Sequence, residues 1–352
     1  MACVSVVVPA YNIRAFVGEC LESIASQTLA DVEIVCVDDG STDGSAEALD
    51  EAARLDGRIR VIHQENGGLS HARNVGIEAA GAPIVMFVDG DDMLAPNACE
   101  TVVRAFGEGG VDLLTFAAAS FPAGSAPRYQ EENLHPSPAR YDGAAFDALY
   151  QPGCRPFVWR SAFSRDFLTD AGLRFREDLA FGEDQAFYFE AYPLSRRTVV
   201  IADELYRYRQ GRAGSLMAES RAQANRRVLD HIAIVRAIFE TWAAHGWLVG
   251  HGARMLDWCL DFVGPDLLEL PAAEREEAHR RWRQAVGPHV GAVAVGEMEP
   301  GSQALLVRLL NEAPLTDGEA RRVKWSYFRH RKGLKFCARK LLGFDRRAKK
   351  AR

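Results

Sequence analysis

The stretch Ile84-Val85-Met86-Phe87-Val88-Asp89-Gly90-Asp91-Asp92 decides the fold, because five apolar residues lead directly into a glycine flanked by aspartates. A short apolar run of this kind is typical of a buried strand. Gly90 allows the backbone to turn, so that more than one carboxylate faces the same point. Ligands of open parallel sheets bind beyond the carboxyl ends of the strands. The stretch therefore predicts a buried strand that ends in a ligand-binding turn.

The residues before this stretch alternate β-branched runs with segments of helical period. Three earlier strands are predicted, at 4–8, 33–37 and 59–62. Between the first two, one apolar helical face is formed by four residues: Val17, Cys20, Leu21 and Ile24. Such alternation is typical of βαβ units. We therefore predict an α/β fold with a Rossmann-like, mostly parallel central sheet flanked by helices.

The pattern weakens after the acidic turn. Residues 111–117 predict a strand, whereas 121–140, rich in Pro, Ser and Ala, predict a loop. Beyond Glu219 one apolar stripe has helical spacing: Val228, Ile232, Val235, Ile238, Phe239 and Trp242. Three segments are predicted: an α/β domain at 1–218, a helical C-terminal region at 219–320 and a basic amphipathic tail at 321–352.

The composition is that of a soluble globular protein, with 352 residues, 48% hydrophobic and 26% charged. The seven cysteines are odd in number, scattered and without a CxxC pair, so we expect reduced core thiols in a cytoplasmic protein, neither a disulfide frame nor a zinc site. The N-terminus lacks a basic region before its short apolar run, which argues against a secretory signal. No run approaches the roughly 18 apolar residues of a membrane span.

The tail is basic, although the net charge of the chain is -6. It contains 14 Lys or Arg and one acidic residue, Asp345. Apolar residues recur among these charges at helical spacing: Leu334, Cys337, Leu341 and Phe344. Such a segment is expected to lie on an anionic membrane surface, the inner face of the cell membrane. The alternative is a disordered, solvated tail, and the acidic body makes nucleic acid an unexpected partner.

The aspartates of the acidic turn are oxygen ligands of the kind that Mg²⁺ or Mn²⁺ takes while keeping positions open for phosphate. A cation bound there would neutralise a departing diphosphate. The alternative is a solvated acidic turn that caps the next helix. Asp92 is the residue most suited to capping, since Pro96 indicates that a helix begins close by.

Two further polar clusters follow predicted strands. In 38–43, Asp39 is suited to accept the imide N–H of uracil or a ribose hydroxyl, with Tyr11 against the base; the alternatives are a helix-capping turn and a packing tyrosine. In 65–74, the loop amides and the Arg73 guanidinium are suited to phosphate. The alternative there is a Gly-rich turn with a surface arginine.

Four ordered motifs together resemble the family 2 glycosyltransferases of the GT-A fold, over roughly residues 1–216: 4–12 (VSVVVPAYN), 37–43 (VDDGSTD), 66–74 (NGG and ARN) and 87–92 (FVDGDD). The resemblance implies a nucleotide-sugar donor, commonly UDP-linked, and a catalytic role for 1–218. It places Asp39 at the base and makes Asp89 and Asp91 the DxD pair at ribose and metal. Asp91 is the first choice for direct coordination of the cation.

Further along, 181–187 (FGEDQAF) resembles the motif that supplies the family's catalytic base. An inverting transfer needs a carboxylate that takes the proton of the acceptor hydroxyl. Asp184 is the candidate, and Glu183 either takes that role or orients it. The alternative is a helix N-terminus enriched in acids.

The segment 206–215 resembles the family's stretch that closes over the diphosphate; a half-buried strand with a solvated face is the alternative, especially for Arg207. One departure is visible at 158–163 (VWRSAF), where many relatives have Trp-Asn-Lys-Leu-Tyr, so that Arg160 replaces polar contacts and the acceptor contacts are in doubt. The donor site implied by the resemblance comprises nine residues: Pro9, Tyr11, Asp39, Asn66, Arg73, Asp89, Arg209, Arg212 and Ser215.

The resulting hypothesis is an inverting glycosyltransferase that uses Mn²⁺ or Mg²⁺ and moves a sugar to a glycan or lipid-linked glycan, in bacterial polysaccharide or cell-wall synthesis. The helical region is a candidate oligomer interface. A sugar-1-phosphate nucleotidyltransferase is an alternative, although its Gly-rich GxGxR signature is missing. A non-catalytic nucleotide-sugar-binding protein is a third reading, against which the intact Asp91 and Asp184 argue.

Overall fold

The computed structural model describes residues 2–126, 128–154, 157–211, 224–313 and 315–341. The chain forms two compact units, Met1–Gly214 and Ser215–Arg352. The boundary predicted near residue 218 lies outside the described residues and stays a prediction.

The first unit alternates strands and helices. Its strands are β1 (Val4–Ala10), β2 (Val32–Asp38), β3 (Ile59–His63), β4 (Ile84–Phe87), β5 (Met93–Leu94), β6 (Leu113–Phe121), β7 (Ala139–Asp142), β8 (Ser161–Ser164) and β9 (Arg197–Arg209). Its α-helices are α1 (Val17–Ala25), α2 (Ser45–Leu55), α3 (Leu69–Ala79), α4 (Ala98–Phe106), α5 (Arg128–Leu134), α6 (Arg165–Asp170) and α7 (Glu183–Leu194). Short 3₁₀ helices lie at Phe146–Tyr150 and Val158–Arg160.

Within the described part of the chain, nine strands form one sheet in the order β3-β2-β1-β4-β8-β6-β9-β5, with β7 also paired to β9. The strands β1 to β4 are parallel, as their β-branched runs predict, and β1 and β4 are buried along their whole length. Strand β8 is antiparallel to both β4 and β6, whereas β6 and β9 are parallel. The predicted α/β fold with flanking helices is confirmed, although its second half is mixed.

The helix α3 packs very close to the sheet. A Cβ added at Gly76 would lie 2.1 Å from Cγ1 of Val7, which belongs to β1. Because any larger side chain would push the helix outward, this glycine brings the preceding turn of α3, including Arg73, down to the sheet.

The loop predicted at 121–140 is wrong in part, because it contains α5 and runs into β7. Strand β7 pairs antiparallel with β9, from Ala139 opposite Val200 to Asp142 opposite Arg197. Its local sequence has turn-like composition, and pairing with a strand far along the chain decides its structure.

The second unit is helical in its described part. Its helices are α8 (Ala224–Ala244), α9 (Leu248–Leu267), α10 (Ala272–Val286), α11 (Pro300–Leu310) and α12 (Asp317–Leu341), with short 3₁₀ helices at Val290–Ala292 and Val295–Glu297. The predicted stripe along α8 is buried at all six positions. Helix α12 is broken at Gly333, and the side chains of 334–341 lie outside the description, as do residues 342–352, so the amphipathic face of the tail stays a prediction.

Among the residues that the structure describes, no helix is both long and apolar enough to span a membrane. The described cysteines are free thiols, and all but Cys3 are buried, in agreement with the expectation of core thiols.

Candidate active site

The turn after β4 is fixed by its glycine. A Cβ added at Gly90 would lie 2.3 Å from Cδ1 of Ile13 and 3.1 Å from the carbonyl oxygen of Pro9, at the end of β1. A larger residue would require the Ile13 side chain to move and the Pro9 carbonyl to give way by a few tenths of an ångström. The acidic turn is therefore pressed against the end of the neighbouring parallel strand, where the sequence places the donor site.

Arg73 lies at the centre of the site with a side chain that is 1% exposed. Its Nη2 contacts Oδ1 of Asp89 at 2.9 Å. Its Nη1 contacts Oε1 of Glu183 at 2.5 Å and Oδ1 of Asp184 at 2.9 Å. One guanidinium thus joins the acidic turn to the start of α7, and charge-assisted bonds of this kind are short and strong.

The surface arginine considered as an alternative for Arg73 is wrong, because this side chain is buried. Both terminal nitrogens point at carboxylates, so the arrangement assigns Arg73 to holding Asp89 and Asp184 in place; a phosphate contact stays a prediction. Sequence reasoning found the residue and missed its partners, since Asp184 lies 111 residues away along the chain.

The Asp184 side chain is largely buried, and 14% of its surface remains exposed to solvent. Burial raises the pKa of Asp184 to about 8, the neighbouring Glu183 charge adds to this rise, and Arg73 opposes it. Its Oδ2 accepts a bond from the amide of Val158 at 3.0 Å. Each carboxylate oxygen thus has one protein donor, and a carboxylate still has further lone pairs for an incoming hydroxyl.

Asp92 does not cap the next helix. Helix α4 begins at Ala98, whereas Asp92 is 1% exposed and accepts bonds of 2.7 Å from the Tyr206 hydroxyl and the Arg209 amide. Burial raises the pKa of this carboxyl well above its ordinary value, with the charges of the neighbouring aspartates as a second cause. The prediction of a capping role is wrong, because β9 supplies the partners.

The Arg209 side chain bonds to the acidic turn and to Glu19 of α1. Its Nε donates to the carbonyl oxygen of Asp91 at 2.7 Å, and its Nη2 contacts Glu19 at 2.5 Å. The guanidinium carbon lies 5.1 Å and 5.0 Å from the ring centres of Phe16 and Phe121. This arrangement positions the main chain that carries Asp91, and the predicted contact with diphosphate stays untested.

Of the other residues in that segment, Arg207 is exposed in β9, as the solvated-face alternative expects. The predicted donor residues Arg212 and Ser215 lie outside the described residues.

Asp39 is 3% exposed and binds the Gly-rich loop. Its Oδ1 accepts from the Gly67 amide at 2.8 Å and from Gln64 Nε2 at 2.7 Å, and its Oδ2 accepts from the Gly68 amide at 2.8 Å. Asn66 Nδ2 donates to the Asp39 carbonyl oxygen at 3.0 Å. The loop amides assigned to phosphate are thus used by Asp39, which organises this loop whatever else it binds.

The remaining predicted donor residues line the end of β1. Pro9 is buried within the strand, and Tyr11 just beyond it is 50% exposed. A half-exposed ring is available for stacking, so the base contact predicted for Tyr11 stays open.

The described residues contain no group of three or more His, Cys, Asp or Glu side chains arranged to hold a metal ion. Asp89 and Asp91 form a smaller donor set, and one oxygen of Asp89 is bonded to Arg73. Mg²⁺-like cations are usually held by one or two carboxylates together with waters and substrate phosphates. Two carboxylates are enough for such an ion in principle, and the roles predicted for Asp89 and Asp91 as its ligands stay predictions.

The replaced motif at 158–163 does not present its arginine to a ligand. Arg160 is fully buried, and its Nη1 donates to the Asn133 carbonyl oxygen at 2.5 Å. The functional neighbour that sequence reasoning missed is the amide of Val158, because a main-chain donor leaves no signal in the sequence.

The mostly parallel sheet with flanking helices, the acidic turn after β4 and the buried Asp184 carboxylate agree with the GT-A class of fold, and a solved structure supports this. Staphylococcus aureus TarS 1-349 in complex with UDP-GlcNAc superposes with a TM-score of 0.70 at 22% identity, over 95% of this chain and 92% of that one. This likeness establishes the fold.

Sequence comparisons establish the family. The model described as Glycosyl transferase family 2 matches residues 5–167. Glycosyltransferase GlyG of Streptococcus pneumoniae is 32% identical over 231 residues, which are 61% of this chain and 72% of GlyG. The uncharacterized glycosyltransferase EpsJ of Bacillus subtilis is 35% identical over 222 residues, 59% of this chain and 61% of EpsJ. The chain belongs to glycosyl transferase family 2, and it spans about three fifths of EpsJ.

Proposed function

We propose that this protein transfers a sugar from a UDP-linked donor to a hydroxyl of a glycan or lipid-linked glycan, with inversion at the anomeric carbon. The observation that carries the proposal is the Arg73 bridge, which joins the acidic turn to the carboxylate of Asp184. Relatives support it: TarS of S. aureus, 27% identical over 219 residues, is named a poly(ribitol-phosphate) beta-N-acetylglucosaminyltransferase. Membership of the family argues against the nucleotidyltransferase alternative.

The proposed chemistry divides the site between two carboxylate groups. Asp184 accepts the proton of the acceptor hydroxyl as its oxygen attacks the anomeric carbon opposite the departing diphosphate. The Val158 amide and Arg73 hold the two oxygens of Asp184. Burial raises the pKa of Asp184 to about 8 and Arg73 opposes that rise, so the ionised form that a base requires is populated increasingly as pH approaches and exceeds this value. Glu183, 8% exposed, shares the same guanidinium and fixes its orientation.

Asp91 and Asp89 would hold the divalent cation and, through it, the donor phosphates. When bound, the cation supplies positive charge to the leaving diphosphate. The protein contributes the shape of this turn: Gly90 closes it against β1, and Arg209 holds the Asp91 carbonyl. Asp39, with Tyr11 and the loop it orders, is assigned to the nucleoside end.

The first experiment incubates the purified protein with UDP-, GDP- and TDP-sugars, each with Mn²⁺, Mg²⁺ or EDTA, and measures nucleotide release and thermal stabilisation. We expect stabilisation and release with a UDP-sugar and Mn²⁺ or Mg²⁺, and neither with EDTA. No response to any nucleotide-sugar would contradict the proposal.

Asp184→Asn tests the base. We expect transfer to fall by about 10²- to 10⁴-fold, the usual contribution of a positioned general base, while UDP binding measured by calorimetry with Mn²⁺ is kept. Asp178→Asn is the matched control, because Asp178 is an exposed carboxylate ahead of the same helix. Full turnover in Asp184→Asn would remove this residue from the mechanism.

Membrane association through the tail is a separate proposal, supported by its charge and apolar spacing. Deletion of residues 320–352 should abolish sedimentation with anionic liposomes at low salt. If the complete chain does not sediment with these liposomes, the proposal fails.

A further inference from the structure

A pair of partly exposed aromatic rings lies in the chain segments whose amides bond to Asp184 and Asp92. Phe157 and Tyr208 are half-buried, and their ring centres lie 5.8 Å apart. Both stack on Trp159, at 4.9 Å in each case. Trp159 itself is buried and stacks at 4.3 Å on Tyr206, the residue that bonds to Asp92. The two partly exposed rings therefore pack on the buried rings of Trp159 and Tyr206, and Tyr206 bonds to Asp92 of the acidic turn.

Two hydrogen bonds fix the main chain at Phe157 and Val158 relative to Asp184. The amide of Val158, next to Phe157, donates to Asp184 Oδ2 at 3.0 Å. The carbonyl oxygen of Phe157 accepts from the Tyr188 hydroxyl, also at 3.0 Å, and Tyr188 lies one turn beyond Asp184 in α7, which begins at Glu183. The chain segment that carries the Phe157 ring therefore lies against the proposed base.

One oxygen of Asp184 is bonded to a side chain. Arg73 covers its Oδ1, and Glu183 lies on the same guanidinium. Binding sites for small ligands combine aromatic surface with a few well-placed polar groups. A pyranose ring has that character, with hydroxyls at its edge and a C–H face that packs on an aromatic ring.

We propose that Phe157 and Tyr208 form the platform on which the acceptor sugar ring packs, so that one of its hydroxyls meets Asp184. The inference rests on the proposed function and adds to it the chemical class of the acceptor end: a pyranose ring with an apolar face, in place of an acyclic polyol phosphate. It makes the pair an acceptor-binding element, because it touches substrate without taking part in proton transfer.

The test uses three defined probes: methyl β-D-glucopyranoside, methyl β-D-galactopyranoside and methyl N-acetyl-β-D-glucosaminide. Saturation-transfer NMR on the full chain with UDP and diamagnetic Mg²⁺ should show transfer to ring C–H protons of at least one probe. Phe157→Leu, which keeps an apolar side chain and removes the ring, should weaken its apparent affinity by roughly threefold to tenfold, the range of a lost aromatic contact. Phe157→Tyr should retain it.

Phe106→Leu is the matched control, since Phe106 is also a partly buried ring packed on the same core. It should keep the wild-type value, and sugar alcohols such as ribitol should show no transfer from the rings. Equal binding in Phe157→Leu and wild type, binding of ribitol alone, or no transfer to any probe would overturn the inference.

Failure of the platform and failure of the proposed function give different results. Release of UDP from a UDP-sugar in water, without probe, reports the donor chemistry alone. Donor turnover combined with unchanged probe binding in Phe157→Leu removes only the platform. Ring-dependent probe binding without any nucleotide-sugar turnover removes the transferase and leaves a sugar site.

Discussion

The two acidic strand ends of the first unit are held by different parts of the sheet. The turn after β2 takes its partners from the first half of the unit: Asp39 bonds to Gly67 and Gly68, and Asn12 Oδ1 accepts from the Thr42 amide at 2.8 Å. The turn after β4 bonds to Arg73 and also to β9, where Tyr206 lies 114 residues from Asp92 along the chain. The first turn depends on neighbouring strands, whereas the second also depends on the last strand of the sheet.

This difference has a functional consequence. In the proposed function the turn after β2 serves the nucleoside end of the donor. The acidic turn is tied to Asp184, the proposed base, through Arg73 and to β9 through Tyr206 and Arg209. We therefore expect variants on the two sides to have different effects, with those around the acidic turn acting on transfer and those around Asp39 acting on donor binding.

Arg73→Lys should have the largest effect. An ammonium cannot reproduce the fork that contacts Asp89 and Asp184 together, and misplacement of about 1 Å can cost on the order of 10²-fold in rate. We expect a fall of that size in kcat, with a smaller change in donor KM. Arg60→Lys, an exposed arginine on β3, is the control. A change in KM alone would indicate a donor contact and break the comparison.

Asp39→Asn tests the turn after β2. The variant weakens charge-assisted bonds to two amides, each worth about 1.5–3 kcal/mol, and disorders the Gly-rich loop. Donor binding measured by calorimetry should weaken by about tenfold or more, while kcat at saturating donor changes less than in Arg73→Lys. If kcat falls with unchanged donor affinity, the loop is coupled to the base and the two turns are not independent.

Tyr206→Phe tests the contact between β9 and the acidic turn. Removal of the hydroxyl takes one donor from Asp92 and one acceptor from the Asp89 amide, both in a buried setting. We expect a loss of about 1–2 kcal/mol in the free energy of unfolding, together with weaker binding of Mn²⁺-UDP. Tyr141→Phe on the edge strand β7 is the control. Equal stability of Tyr206→Phe and wild type would show that β9 does not hold the turn.

His63→Gln should have the smallest effect. Bonds of 3.0 Å to Asp38 and to Asp50 raise the pKa of His63 above its ordinary value. A histidine whose pKa is higher in the folded than in the unfolded state stabilises the fold. This stabilisation is complete below the unfolded-state pKa of about 6.5 and is lost as pH rises through the folded-state pKa.

The difference in melting temperature between wild type and His63→Gln should therefore be larger at pH 5.5 than at pH 9. His330→Gln in the second unit is the control. A difference that grows with pH would contradict the assignment.

The sequence predicts the parts of this molecule that depend on local pattern. The four parallel strands and the buried stripe of α8 follow from hydrophobic period, and the acidic turn follows from a glycine after an apolar run. Asp92 was misread because a carboxylate ahead of a helix is typical of a cap, whereas a buried tyrosine 114 residues away takes it. Strand β7 was missed for the same reason, since its partner β9 supplies the structure.

The sequence predicts which residues belong to the site, but it does not predict how they are arranged. Asp184, Asp89 and Arg73 were each named from the sequence, and the structure brings these three together. Their mutual bonds required the fold, as did the Val158 amide, which has no side-chain signature.

The packing of Gly76 against β1 leaves no room for one added methyl group. The gap between α3 and Val7 admits a hydrogen atom and nothing larger, and Arg73 lies one helical turn away. The close packing at Gly76 therefore sets how far the guanidinium reaches toward Asp89 and Asp184. In Gly76→Ala every ionisable group of the site would remain present, and the distances between those groups would be lost.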